Sequence, residues 1–403
     1  MGVLFMRSIK PLAALIGLLV MSGSANAVTV YNDKGSKVDL TGQVRMKTTV
    51  TSDDRDIQIK DDGSRIGVNA SHELTKDIHV FGKMEWGSDT QRTNSDNVKT
   101  SFDMYNRVGY IGASHRDIGE MRIGRTYIPI DWVKKSSYGY GNTGVFYFSD
   151  VLGRATGYDS KGVGNNNFLT RLPQTIFVQT NSYKGFNLAA TYSGKSGSDN
   201  ERHHGDIRHA YSIVGFYKSD FGLEASAGYS QATGERKKPV TIGTENKGES
   251  TVNAGLASPQ DSLLAFGAEY YFPGREFSIG LDYGIARSKN SGLVYKEGAG
   301  TSLQSKSVKG DWKANLYGVG MKWHWDKIES GMYAGYYLRD GDANTFNYKK
   351  QTYTVGLDKR FVVSKYNNLI LFVETAYDDV RSDNPAYKNK KQTILGTGAR
   401  LSF

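Results

Sequence analysis

Almost throughout, the chain alternates apolar and polar residues. "FSIGLDYGIARS" places Phe277, Ile279, Leu281, Tyr283 and Ile285 on one face and Ser278, Gly280, Asp282, Gly284 and Ala286 on the other. "LLAFGAEYYF" sets Leu264, Phe266, Ala268, Tyr270 and Phe272 against Ala265, Gly267, Glu269 and Tyr271. In "QVRMKT" the polar face is Gln43, Arg45 and Lys47, and in "GKMEWG" Lys83 and Glu85 oppose Met84 and Trp86. Successive side chains of a strand point to opposite sides, so this period of two predicts strands with one apolar and one polar face. A soluble sandwich and a membrane barrel share that pattern strand by strand.

The connections separate the two. Short links at Ser182–Gly185, Lys218–Gly222 and Phe272–Glu276 alternate with long polar ones at Ser193–Arg208, Ala232–Gln260, Ser288–Gly310 and Asp340–Lys349. Short turns at one end and long loops at the other are the layout of an outer-membrane barrel. The segments between them predict an all-β fold, a transmembrane antiparallel β-barrel of sixteen strands, an even number as a closed antiparallel barrel with both termini in the periplasm requires. The polar faces then line a lumen. Trp86, Trp132, Trp323, Trp325, Tyr336 and Tyr337 fall near strand ends, where aromatic girdles sit.

Composition sharpens this picture. With 47 glycines, 26 tyrosines and seven prolines, the chain suits strands and turns better than helices. It has no cysteine, so pairing and packing alone hold it together. Residues 1–27 read as a cleavable export signal: Arg7 and Lys10, an apolar run from Leu12 to Met21, then Ala25-Asn26-Ala27. Without Arg7 and Lys10, the 51 basic residues fall to 49 against 41 acidic, a charge of +8 over 28–403. For an exported protein that surplus points to anionic lipid head groups or small anionic solutes rather than nucleic acid.

One string suggests different chemistry. "SYGYGNTGVFYFSD" holds G-x-G-x-x-G at Gly139, Gly141 and Gly144, the fingerprint of a dinucleotide-binding loop. The fingerprint carries meaning only between a buried strand and a helix. No strand-helix-strand unit surrounds it, and neither cofactor nor metal is expected. "ERHHGDIRHA" gathers His203, His204 and His209, but on a solvated outer loop, and spacing alone does not make a metal site.

Three stretches resemble Gram-negative general diffusion porins. They are "VTVYNDKGSKVDLTGQVR" (Val28 to Arg45), "NRVGYIGASHRDIGEMRIGR" (Asn106 to Arg125) and the terminal "GTGARLSF". The resemblance implies a homotrimer of sixteen-stranded barrels embedded in outer-membrane lipid and lipopolysaccharide. Each passes small hydrophilic solutes through its own pore. Phe403 would be the terminal aromatic read by the outer-membrane assembly machinery. It also implies that the third outer loop, about Thr126 to Asn166, folds inward as the constriction loop. The glycine string lies inside that loop, where glycine permits tight turns.

In such porins wall arginines face loop carboxylates across the constriction. The matching wall positions are Arg65, Arg107, Arg125 and Arg171, with Gln43 where a lysine is common, Arg45 and Lys47 further along, and Lys83 beside Glu85. The loop departs from the family pattern. Its acids Asp131, Asp150 and Asp159 meet the bases Lys134, Lys135, Arg154 and Lys161, so no acidic excess opposes the arginines. The expectation is a weakly anion-selective or nearly unselective pore. A solute-specific porin, with Tyr138, Tyr140 and Tyr147 as a binding track for anions or sugars, is the alternative. A barrel enzyme would need a nucleophile-histidine pair that the sequence does not display. A surface-antigen role of the outer loops would coexist with transport.

Overall fold

The computed structural model describes residues 27–53, 55–89, 103–140, 168–195, 207–234, 241–242, 250–251, 260–297, 304–343, 346–364, 367–383 and 389–403. Of the expected export signal, residues 1–27, all but Ala27 lies outside them. Strand β1 is Ser36–Thr51, and β2 comes in two pieces, Gln58–Asp61 and Arg65–Glu73, both paired with β1. Then follow β3 Ile78–Asp89, β4 Asp103–His115, β5 Gly119–Tyr127 and β6 Arg171–Thr180. Next come β7 Phe186–Ser193, β8 Ile207–Lys218, β9 Leu223–Gly234 and β10 Gln260–Tyr271. The circle is completed by β11 Phe277–Glu297, β12 Gln304–Trp325 and β13 Ser330–Ala343. After these stand β14 Phe346–Val362, β15 Asn368–Ser382 and β16 Lys390–Ser402.

Each strand pairs antiparallel with the next, and β16 returns to pair with β1 from Gln43 to Thr51, closing a barrel of 16 strands. The rest of that β1 edge is covered by the N-terminal strand Ala27–Asp33. The Ala27–Asp33 strand and β16 therefore share the edge of β1. At their junction Phe403 and Gly42 exchange both backbone hydrogen bonds, at 2.7 and 2.9 Å. The Phe403 ring lies over Gly42, where a Cβ would overlap it.

The expected short links are turns at 181–185, 219–222 and 272–276. Ala27–Asp33 and β1 are joined by Lys34 and Gly35, both at positive φ, the two-residue turn that matches strand twist. Two expected loops are strands instead. β11 and β12 stay paired out to Glu297 and Gln304, and β13 and β14 out to Ala343 and Phe346. Past the apolar belt both faces of a strand meet water, so alternation disappears and a polar strand reads as a loop.

The outer surface carries the apolar side chains, among them Val44, Ile111, Leu281, Val319 and Leu371, all exposed. Aromatic rows border this belt. At the short-turn end Phe186 meets Tyr217 at 4.3 Å and Phe277 meets Trp323 at 5.4 Å. At the other end Tyr283 meets Tyr317 at 5.2 Å and Tyr336 meets Tyr353 at 5.0 Å. Trp132 and Tyr337, expected in such girdles, are inside. Trp132 belongs to the third loop and packs on Phe177 and Phe216. Tyr337 is buried and donates to the Ser136 carbonyl at 3.1 Å.

Candidate pore lining

On β1, Gln43, Arg45 and Lys47 alternate with the exposed Val44 and Met46, so they face inward. Arg45 Nη2 lies 2.5 Å from Asp62 Oδ2, and Lys47 Nζ lies 2.9 Å from Asp62 Oδ1. Asp62 reaches them because β2 is interrupted. Asp61 Oδ1 accepts from the N–H groups of Gly63 and Ser64 at 2.6 and 2.8 Å, and Gly63 has φ +97°, a conformation that favours glycine. With its oxygen turned towards Arg65, the Gln43 amide accepts from Nε and Nη2 at 2.8 and 2.9 Å.

Glu85 on β3 gathers a second group. Arg107 Nε lies 2.9 Å away, Lys83 Nζ 3.8 Å and Arg65 Nε 4.0 Å, and Tyr127 donates its hydroxyl at 3.4 Å. Two irregularities help aim these arginines. Arg107 is the extra residue of a bulge between the pairs Glu85–Val108 and Trp86–Asn106. Arg125 alone opposes Pro173 and Gln174, two residues of β6 between Leu172 and Thr175. Proline has no N–H for the ladder, so the strand bulges there, and bulges re-aim side chains. Arg125 Nε donates to the Arg107 carbonyl at 3.1 Å, and Arg171 lies over the Tyr127 ring at 5.9 Å.

The third loop leaves β5 through a 3₁₀ turn, Pro129–Trp132, whose Ile130 is buried with Ile128 and Val133 against the inner wall. From there it is held residue by residue. The N–H groups of Lys135 and Ser136 donate to Asp282 at 2.7 and 2.8 Å, and the Ser136 hydroxyl adds a third bond. Tyr138 donates its hydroxyl to Glu269 at 2.9 Å. The Tyr140 N–H donates to Glu374 at 3.2 Å, and Tyr333 donates to the same carboxylate at 2.6 Å. At its last described residue the loop meets the basic wall. The Tyr140 carbonyl accepts from Arg45 Nη2 at 2.9 Å and Arg400 Nη2 at 3.2 Å.

Under this path the wall is glycine. A Cβ at Gly267 would overlap the Val133 carbonyl, one at Gly280 the Lys135 carbonyl, and one at Gly320 the Ser136 carbonyl. These inward positions of β10, β11 and β12 let the loop backbone lie directly on the sheet.

Arg65, Arg107, Arg125, Gln43, Arg45, Lys47, Lys83 and Glu85 are thus brought together on the inner side of β1 to β5, with Arg171 at the start of β6. The loop residues behave differently. Burial pushes the Asp131 carboxyl upward from its ordinary value, against the pull of Lys134 and Arg171. Lys135 pairs with Glu224 at 3.1 Å. Tyr138 is engaged by Glu269, and the Tyr140 ring stacks on Phe372 at 6.1 Å. Asp150, Arg154 and Asp159 lie outside the described residues, as do Tyr147, Lys161, His203 and His204. Asp62, Arg400 and the loop-holding carboxylates Glu269, Asp282 and Glu374 were not singled out from sequence. Inward parity marks them as polar-face residues but does not mark what they touch.

The sequence profile of Gram-negative porins matches residues 12–383. A major outer membrane protein of Pasteurella multocida is 27% identical over 378 residues, covering 87% of this chain and 99% of that one. Among solved structures, the anion-selective porin from Comamonas acidovorans superposes with a TM-score of 0.64 at 18% identity, over 91% of this chain and 100% of that one. The trimer form of OmpT, an outer membrane protein of Vibrio cholerae, gives a TM-score of 0.62 at 18% identity, over 92% and 100%. Closed barrel, polar lumen, inward loop and profile agree: this chain belongs to the Gram-negative porin family and is a passive diffusion channel of the outer membrane.

Proposed function

We propose that the channel favours small hydrophilic anions, and that its narrowest section lies between the basic wall of β1 to β5 and the third loop. The observation that carries this reading is the charge imbalance of that wall. Among the described residues, the ion pairs of Arg45, Lys47, Arg65, Lys83 and Arg107 run to two carboxylates, Asp62 and Glu85. Guanidinium does not deprotonate in proteins, so a wall rich in arginine keeps its positive charge. The carboxylates across the lumen, Asp282, Glu269 and Glu374, hold the loop, and a charge used in that way contributes less to the field felt by a passing ion. Fixed lumen charge raises the local concentration of counter-ions and sets selectivity. A tyrosine binding track is less well supported, since Tyr138 and Tyr140 are committed to Glu269, Phe372 and Arg400.

We also infer a homotrimer joined through the outer faces of β1 to β5. Among the described residues the ring pairs of the girdles fall on β7 to β15, whereas β1 to β5 present Val44, Met46, Ile66, Met84, Ile111 and Ile123. With Trp86 as its girdle aromatic, this mainly aliphatic face suits a protein neighbour better than a lipid boundary. The remaining partners follow from location. Outer-membrane lipid and lipopolysaccharide would surround the aromatic-bordered faces, and Phe403 would present the terminal aromatic to the assembly machinery.

Single-channel current across a planar bilayer under a tenfold salt gradient tests the reading. Steps in groups of three with an anion-signed reversal potential are expected. A cation-signed potential overturns the selectivity, and silence from folded barrel overturns the channel geometry.

A further inference from the structure

Arg400 lies on β16, directly opposite Arg45 of β1 in the pairing register, on the inner face. Like charges directly opposite on one face of a sheet destabilise the pair unless something compensates them. For Arg45 the compensation is Asp62 at 2.5 Å. Arg400 makes no ion pair among the described residues. It donates one Nη2 bond to the Tyr140 carbonyl, its guanidinium lies over the Tyr140 ring at 5.2 Å, and its Nε is buried without a hydrogen-bond partner. A carbonyl and a ring face satisfy only part of a five-donor cation. Of the carboxylates on this side, Asp62 is shared by Arg45 and Lys47, and Glu374 accepts from the Tyr140 N–H and the Tyr333 hydroxyl.

A neutral side chain of similar reach would hold the Tyr140 carbonyl as well and avoid the repulsion. A guanidinium is kept where a planar acceptor with two oxygens is met, because its fork matches that geometry. We propose that Arg400 is a specificity-determining residue of the channel. With Arg45 it forms a transient site for an oxyanion, a carboxylate or phosphate group of the passing solute, beside Tyr140 of the third loop. This rests on the anion-favouring reading above and narrows it: the pore discriminates between anions, preferring oxyanions to spherical halides. The site is distinct from the Arg65–Arg107–Glu85 group, which lies on β2 to β4.

The test is block of chloride current by succinate, and separately by inorganic phosphate, in wild type, Arg400→Gln and Arg400→Lys. Wild type should show concentration-dependent block by both. Arg400→Gln should raise the half-blocking concentration about tenfold, the loss of one charge-assisted hydrogen bond. Arg400→Lys should fall between, retaining the charge and losing the fork. Block by one oxyanion alone would assign the site to that source. If Arg400 only positions the loop, Arg400→Gln changes conductance and current noise while the half-blocking concentration stays put, and the proposal fails. A wild-type pore that prefers cations would overturn the anion-favouring reading itself. An anion-selective wild type that succinate and phosphate do not block would overturn the Arg400 site alone.

Discussion

From β1 to β5 the inward charges stand in groups with cations in excess, and two bulges and a broken strand aim them. From β9 to β15 the inward wall offers the third loop glycines and the carboxylates Glu269, Asp282 and Glu374, while other inward charges there, such as Lys350 with Asp378, pair with each other. The same alternation of inward and outward residues builds the two walls, yet one presents charge to the lumen and the other consumes it in docking. The difference lies in what covers each. A carboxylate that accepts three bonds from Lys135 and Ser136, as Asp282 does, is an anchor. A carboxylate flanked by Arg65, Lys83 and Arg107, as Glu85 is, trims an electric field.

The largest effect should come from the docking wall. Gly320→Val or Gly267→Val places side-chain atoms where the Ser136 and Val133 carbonyls now lie, so the loop must lift from the sheet. Single-channel conductance should rise, with added noise, while the barrel still migrates as folded protein in an unheated gel. Gly215→Val is the control, since a Cβ there meets nothing within 4 Å. Unchanged conductance in a folded Gly320→Val barrel would mean that the loop does not limit the pore, and the contrast between the walls would lose its functional meaning.

Much of the basic wall was legible in the chain alone because parity is local. Once Val44 and Met46 are outward, Gln43, Arg45 and Lys47 must be inward, and the resemblance placed Arg65 and Arg107 beside them. The docking wall was half legible. Alternation alone puts Gly267 with Glu269, and Gly280 with Asp282, on polar faces, and the porin resemblance implies a loop that turns inward. What remained hidden was that these residues meet: Asp282 and Ser136 are 146 positions apart, and periodicity carries no information about such a contact. Arg400 was missed for a related reason. It sits on the last strand and Arg45 on β1, far apart in the chain, and only barrel closure sets the two opposite each other.

A smaller effect sharpens the other side of the comparison. Glu85→Gln keeps shape and hydrogen-bonding capacity but removes the one carboxylate shared by Arg65, Lys83 and Arg107. The reversal potential under a salt gradient should move further in the anion direction, with conductance little changed. Arg107→Gln should move it the opposite way. Equal and opposite shifts would identify Glu85 as a trim on the field. A fall in conductance without a change of sign would instead make it a structural clamp for the arginines.

The smallest effect belongs to Tyr138→Phe. The ring stays beside Gly320, whose Cβ would lie 3.1 Å from Tyr138 Cε2, and only the hydroxyl bond to Glu269 is lost. A hydrogen bond to a charged acceptor contributes about 1.5–3 kcal/mol. Water in the lumen, together with the Tyr271 hydroxyl that already donates to the other Glu269 oxygen at 2.9 Å, should return much of it. The expected result is an unchanged mean current with slightly more frequent brief fluctuations, because the Asp282 bonds upstream and the Glu374 and Arg400 bonds downstream still fix the loop. A loop pinned at several independent points should tolerate the loss of any one that is not steric. A large conductance change in Tyr138→Phe would therefore mean that the contacts act cooperatively, releasing together, and would make Tyr138 rather than Asp282 the point at which the docking wall is opened.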